Sequence, residues 1–227
     1  MKNAVAALAV AAVAGTASAG MSISQTETFG PQAPNFSSTL TFDQYNGSVA
    51  DLVSIEVIID MSVSGGSATL DNDGETATSV DVEFGTSVGI ASSDVSLLDG
   101  AFDPVTAGVS VLTNPTVNLG ANDGDDINAF NDDGGADNGS VLGLAGSDND
   151  SGFINTMFFS QYTGAGTFDI IIDAQTEFGI FGGSAVQGSF VNQVAEGSVT
   201  VIYNFIPTPG TAALLGLGGL AAIRRRG

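Results

Sequence analysis

The chain has 227 residues, 25 Asp and Glu against four Lys and Arg, no His, no Cys and no Trp, for a net charge of −21. Without His there is no ordinary general base near neutral pH and no His/Cys zinc site, and without Cys no disulfide. The four basic residues are Lys2, Arg224, Arg225 and Arg226, and all 25 acidic ones lie between Glu27 and Glu196. Residues 20–206 therefore have no internal salt bridge to a basic side chain and no lysine chemistry. A body of that charge repels nucleic acid and anionic lipid heads.

In chain order, Met1-Lys2-Asn3 is a charged start, residues 4–14 are apolar, and Ala17-Ser18-Ala19 offers small residues at both positions that signal peptidase reads. This predicts a signal peptide over 1–19, helical in its apolar run, handled by the Sec translocon and cut after Ala19. Residues 20–36 read as a lead-in segment. From 37 to 206 the chain predicts one all-β domain, an antiparallel β-sandwich, because period-two alternation recurs between Gly-rich turns. Val53, Ile55, Val57, Ile59, Met61 and Val63 share a face, and Gly65-Gly66 is expected to end that strand. Val80, Val82 and Phe84 mark the next strand. Further strands are predicted at 109–112, around Phe168, Ile170 and Ile172, at 186–191, and at Val199, Val201, Tyr203 and Phe205. Residues 121–150 stand out as an acidic insertion. The last segment, 207–227, opens on Pro207-Thr208-Pro209-Gly210, continues through an uncharged stretch at 211–223, and closes on Arg224, Arg225 and Arg226. As a helix, 211–223 spans roughly 20 Å against a hydrocarbon core of about 30 Å. That predicts a short transmembrane helix with its arginines on the cytoplasmic side.

The candidate sites are carboxylates. Asp123, Asp125 and Asp126, then Asp132 and Asp133, then Asp148 and Asp150 lie among Asn and Gly, and Ca²⁺ takes six to eight oxygens from such groups. Asp71, Asp73 and Glu75 form a separate cluster in an expected hairpin turn. None of these runs matches the EF-hand pattern, and the competing reading is a solvated acidic loop. A glycosidase needs only two carboxylates facing across a cleft. However, aromatic platforms for sugar are few, with Tyr45, Tyr162 and Tyr203 the only tyrosines. Phe153, Phe158, Phe159 and Tyr162 form either an exposed ligand patch or part of the core. No catalytic residue and no cofactor other than Ca²⁺ is expected.

The C-terminal segment resembles the Pro-Glu-Pro C-terminal (PEP-CTERM) sorting signal. It has a Pro-x-Pro motif at Pro207 and Pro209 followed by Gly210, an apolar helix and an arginine cluster, with Thr208 where that family usually has glutamate. The resemblance implies membrane insertion and cleavage near Pro209 by an exosortase-type peptidase. The middle of the chain resembles the choice-of-anchor E domains that accompany such signals. The matching stretches are Leu40-Thr41-Phe42-Asp43-Gln44-Tyr45-Asn46-Gly47, the strand at 52–61, and the closing Ser198-Val199-Thr200-Val201-Ile202-Tyr203. That likeness implies an exported protein with no enzymatic activity to carry over.

Together these readings lead one to expect a structural or adhesive protein of the cell surface or extracellular matrix. It would pass through the inner membrane and partner extracellular polysaccharide, not nucleic acid. The alternative is a calcium- or carbohydrate-binding module, and the remote one is a secreted glycoside hydrolase.

Overall fold

The structure is a computed structural model that describes residues 20–124, 134–142 and 145–206. Its ten strands are β1 (Met21–Gln32), β2 (Phe36–Asp43), β3 (Leu52–Asn72), β4 (Thr78–Ala91), β5 (Val109–Thr113), β6 (Thr116–Leu119), β7 (Asn138–Leu142), β8 (Gly146–Phe153), β9 (Thr167–Phe181) and β10 (Val186–Phe205). They form two antiparallel five-stranded sheets. The first runs β1-β10-β3, and β7 and β8 share the far edge of β3. The second runs β2-β9-β4, and β5 and β6 share the far edge of β4.

The core lies between the sheets and follows the alternation of each strand. Ile55, Val57, Ile59 and Val63 of β3 face Phe168, Ile170 and Ile172 of β9, and all are buried. Each such side chain contributes about 1.5–3 kcal/mol by leaving water. Aromatic rings pack together in this layer. Phe42 stacks on Phe168 at 5.7 Å and Tyr162 meets Phe168 edge-on at 5.1 Å. Both buried phenols donate to backbone carbonyls, Tyr162 to Ser96 at 2.9 Å and Tyr203 to Asp43 at 3.1 Å. Phe159 and Tyr162 thus belong to the core, while Phe153 is exposed.

The glycines at 65 and 66 bend β3 instead of ending it. Both adopt positive φ, +71° and +79°, which a side chain would resist. Before the bend the odd residues to Val63 point inward, and after it Ala68 and Leu70 do. β10 changes phase at the same level, with Ala195 opposite Val63 and Phe190 opposite Ala68, all on the inner side. The pairing runs continuously across the bend, so β10 is one strand of 20 residues where two are expected.

One other expectation changes. The 73–77 connection is no hairpin, because β3 and β4 belong to different sheets. The Asn72 side chain holds this crossing: Oδ1 accepts from Gly74 N at 3.0 Å, and Nδ2 donates to the Thr76 carbonyl at 3.0 Å and to that of Gly120. Residues 20–36 hold β1, paired with β10. Residues 121–150 contain β7 and part of β8, which hydrogen-bond to β3.

The expectation of a sandwich flanked by helices is corrected. Among the described residues the only helical segments are two 3-10 stretches, Val49–Asp51 and Thr156–Tyr162, and no helix is long and apolar enough to cross a membrane. Segments 1–19 and 207–227, to which the signal helix and transmembrane helix were assigned, lie outside the described residues.

Candidate binding site

Asp148 and Asp150, two of the expected metal ligands, join the sheets. They lie two residues apart on β8 and reach across to the segment that carries β5. Asp148 Oδ2 accepts from Ser110 N at 3.0 Å and Oδ1 from Asn149 N at 3.0 Å. Asp150 Oδ2 accepts from Ala107 N at 2.8 Å and Oδ1 from Ser151 N at 2.8 Å. Each of the four oxygens therefore accepts from one backbone N–H, and the carboxylates keep their negative charge at the seam. Gly152 continues the seam, since a Cβ there would strike the Val105 carbonyl oxygen.

The other acidic candidates sit elsewhere. Asp123 is exposed, and its backbone N donates at 2.9 Å to Oδ2 of Asp137, which is fully buried. Asp73 accepts from the Gln187 amide, Asp71 is buried, and Glu75 is exposed. Asp125, Asp126, Asp132 and Asp133 lie outside the described residues. Among the described residues no group of three or more His, Cys, Asp and Glu is placed to hold a metal ion, and no catalytic motif stands out.

Beside the bend in β3 and β10 lies a cavity of about 190 Å³. Its walls are Ala33, Pro34 and Asn35 from the β1–β2 connection, Ser67 of β3, Phe84 of β4, Thr176 of β9, and Phe190 and Gln193 of β10. Phe84 and Phe190 pack at 6.0 Å, and Phe178 lies on Phe190 at 5.1 Å with its plane tilted by 31°. Phe178 continues the inward face of Phe168, Ile170, Ile172 and Ala174, yet it is 65% exposed. With the layer opposite bent away, its outer ring face has no cover.

Asn35 fixes the lip of the cavity. It adopts φ +69°, a region Asn tolerates better than most residues. Its N donates to the Ala174 carbonyl at 2.7 Å, Nδ2 to Thr176 Oγ1 at 3.1 Å, and Oδ1 accepts from Thr176 N at 3.1 Å. Gln193 is different: it is only 9% exposed, and its buried Nε2 has no hydrogen-bond partner. Leaving such a donor unpaired costs about 1–3 kcal/mol. Phe84 also lines a second, more open groove of about 470 Å³ between β5 and the 141–148 region, where Leu112 and Leu142 are exposed.

Phe178, Phe190 and Gln193 are not among the residues singled out in the sequence. Their one sequence signal is the run Phe178, Ile180 and Phe181 at the end of β9, more apolar than a strand end needs to be. Burial, with the Tyr203 phenol second, pushes the Tyr162 phenol far above its ordinary range. Burial, with Asp43 second, does the same to Tyr203. These phenols are core supports and offer no acid or base near neutral pH.

The reading as a surface or matrix protein inserted by its C-terminal helix, cut by an exosortase and passed through the inner membrane, is corrected. No helix among the described residues is long and apolar enough to cross a membrane. The residues on which processing was placed (Ala17, Ala19, Pro207, Pro209, Gly210, Arg224, Arg225 and Arg226) lie outside the described residues. No family model matches the chain, and no match is found among curated proteins. Among solved structures, the VP2 subviral particle of infectious bursal disease virus is similar at 15% identity with a TM-score of 0.17, over 79% of this chain and 32% of that one. T=1 particles derived from the same virus are similar at 16% identity with a TM-score of 0.16, over 79% and 31%. This chain spans about a third of the length of those chains, and likenesses this weak carry nothing about its function.

Proposed function

We propose that this chain is a non-catalytic carbohydrate-binding module whose site is the exposed Phe178 ring and the neighbouring cavity lined by Phe190. The observation that carries the reading is the exposed Phe178 ring, which packs at 5.1 Å on Phe190, a wall residue of the cavity of about 190 Å³ that Asn35, Thr176 and Gln193 also line. Ligand sites of this kind pair aromatic walls with a few placed polar groups. A sugar ring matches both, with C–H faces that lie on an aromatic ring and a rim of hydroxyls and substituents that take hydrogen bonds. Charge narrows the class. With 25 carboxylates and no basic residue in 20–206, the protein favours neutral glycans over acidic ones.

Isothermal titration of the full chain with a panel of neutral oligosaccharides tests the reading. Binding that drops on the order of tenfold in Phe178→Ala supports it, since a ring that loses its stacked ligand forfeits a kcal/mol or more. No binding to any neutral glycan overturns it.

A further inference from the structure

The dipeptide Asn-Gly occurs twice in the chain, at Asn46-Gly47 and at Asn138-Gly139, and the fold treats the two differently. We infer that Asn46 is a self-modification site, at which the side-chain amide turns into a carboxylate with water as the only co-reactant, and that in the folded protein Asn138 is protected. The backbone nitrogen of Gly47 loses its proton and attacks Asn46 Cγ. The new N–C bond closes a five-membered succinimide, and the side-chain nitrogen leaves as ammonia. Water then opens the ring at either carbonyl. One opening leaves aspartate, and the other leaves isoaspartate, with the main chain running through the former side chain. Asparagine is thermolabile through this route. A following glycine favours it, because no Cβ shields the attacking nitrogen.

Ring closure needs a backbone free to turn until the nitrogen meets Cγ. Tyr45 is pinned on one side: its N donates to the Tyr162 carbonyl at 2.8 Å, and its carbonyl accepts from Gly164 N at 3.1 Å. Ser48 is pinned on the other, its carbonyl accepting from Asp51 N at 2.9 Å and its Oγ from Ala50 N at 3.2 Å. Asn46 and Gly47 arch between these anchors outside any strand or helix. Both are exposed, and neither has a hydrogen bond among the described residues. Asn138-Gly139 lies in β7, where Asn138 pairs with Asp71 and Gly139 with Leu70 of β3. Asn138 Nδ2 donates to Asp137 Oδ1 at 3.4 Å, and a Cβ on Gly139 would strike the Val117 and Leu119 side chains of β6. That backbone is held extended and covered, so β7 must leave β3 before the ring can close. Conversion at Asn46 also changes the surface. Asn46 lines an open cavity of about 390 Å³ with Ile23, Gln25, Asp43, Gln44 and Tyr45. A carboxylate at 46 adds to the one that Asp43 already brings to that wall, and isoaspartate lengthens the span between the two anchors.

The test incubates the full chain in mildly alkaline buffer, folded in one sample and unfolded in urea in the other. Samples drawn over time are digested with pepsin, whose acid medium halts the reaction, and the peptides are weighed by mass spectrometry. Trypsin is of no use, since 20–206 has no Lys or Arg. In the folded protein the Asn46 peptide is expected to gain one mass unit at least about tenfold faster than the Asn138 peptide, which must wait for β7 to open. In urea the two rates are expected to converge. An isoaspartate-specific methyl-transfer assay on the folded protein is expected to give a signal that Asn46→Gln abolishes, because the longer side chain does not close the five-membered ring. An Asn46 peptide of unchanged mass in the folded protein overturns the inference. So do equal rates at the two asparagines in the folded protein. A difference that persists undiminished in urea assigns the selectivity to neighbouring residues and overturns the role given to the fold.

Discussion

Replacing Asp148 by Ala removes the acceptor for Ser110 N and separates β8 from the edge of β5 at one point. Ser110 is exposed, so its freed N–H turns to water and the loss stays near the net worth of one hydrogen bond, about 1 kcal/mol. The Asp150→Ala change removes the bond from Ala107 N, with the same expected loss. The two carboxylates hold the same pair of segments, and Val105 and Val109 lie buried behind them. Either one alone keeps the seam closed, whereas loss of both lets water reach those valines. The double variant should therefore cost at least ~0.5 kcal/mol more than the sum of the singles. For a chain of this size each kcal/mol lowers the melting point by roughly 2–4 °C. Thermal and urea unfolding of the four proteins, with and without Ca²⁺, reads both effects. Strict additivity would refute the shared-seam argument. A calcium-dependent rise in melting point that the double variant abolishes would show that these carboxylates ligate metal after all.

Other outcomes follow from the same packing. Gly152→Ala should destabilise by about 1–3 kcal/mol, because its Cβ meets the Val105 carbonyl and the seam must shift; an unchanged urea midpoint would contradict that close approach. The Tyr162 and Tyr203 phenols have folded-state pKa values raised above the ordinary 10.0. Their contribution is complete below that value and is lost above it, as the unfolded chain ionises and the folded one resists. Stability should then fall by about 3 kcal/mol per pH unit above pH ~10, roughly 1.4 for each phenol. Urea midpoints read against tyrosinate absorbance check this, and two phenols that ionise near pH 10 in the intact fold would disprove it. Added NaCl should raise the melting point by several degrees between about 0.01 and 0.5 M, since 25 carboxylates repel with no internal cation to offset them. A flat or falling melting point would mean that the carboxylates are spaced too widely to matter.

Legibility in the sequence tracked burial. β3 over 53–63 and β9 around Phe168 to Ile172 face a full layer of core, so their alternation is visible in the residues themselves. β1 is an edge strand in which only Phe29 is buried, so its Ser, Thr and Gln residues carry no alternation that marks a strand and the segment reads only as a lead-in. β7 and β8 contain Asn138-Gly139-Ser140 and Asp148-Asn149-Asp150-Ser151-Gly152, sequences chosen for an acidic insertion. Their strand character comes from backbone pairing with β3, which leaves no side-chain signature. The candidate site was illegible for a related reason. Phe84, Phe178, Phe190 and Gln193 lie on three strands, and only the sheet register and the bend at Gly65-Gly66 bring Phe178 onto Phe190 and the others around one cavity.

The same charge composition accounts for how the sandwich closes its sides. Proteins commonly guard exposed sheet edges with lysine, which is costly to bury in an intruding strand. This chain has no lysine between 20 and 206. On the side where β1 and β2 end, the Gln25 amide does the work: Nε2 donates to the Asp43 carbonyl and Oε1 accepts from Asp43 N, both at 2.8 Å, so one side chain imitates a strand. On the opposite side the carboxylates of Asp148 and Asp150 occupy edge N–H groups at β5 and just before it while keeping negative charge at the seam. An incoming strand of a second copy would lose those N–H groups as partners and meet like charge as well. On this side, acidic side chains close the sandwich. At the bend, by contrast, no charged side chain lines the cavity, whose walls include Phe84, Phe190, Asn35 and Gln193.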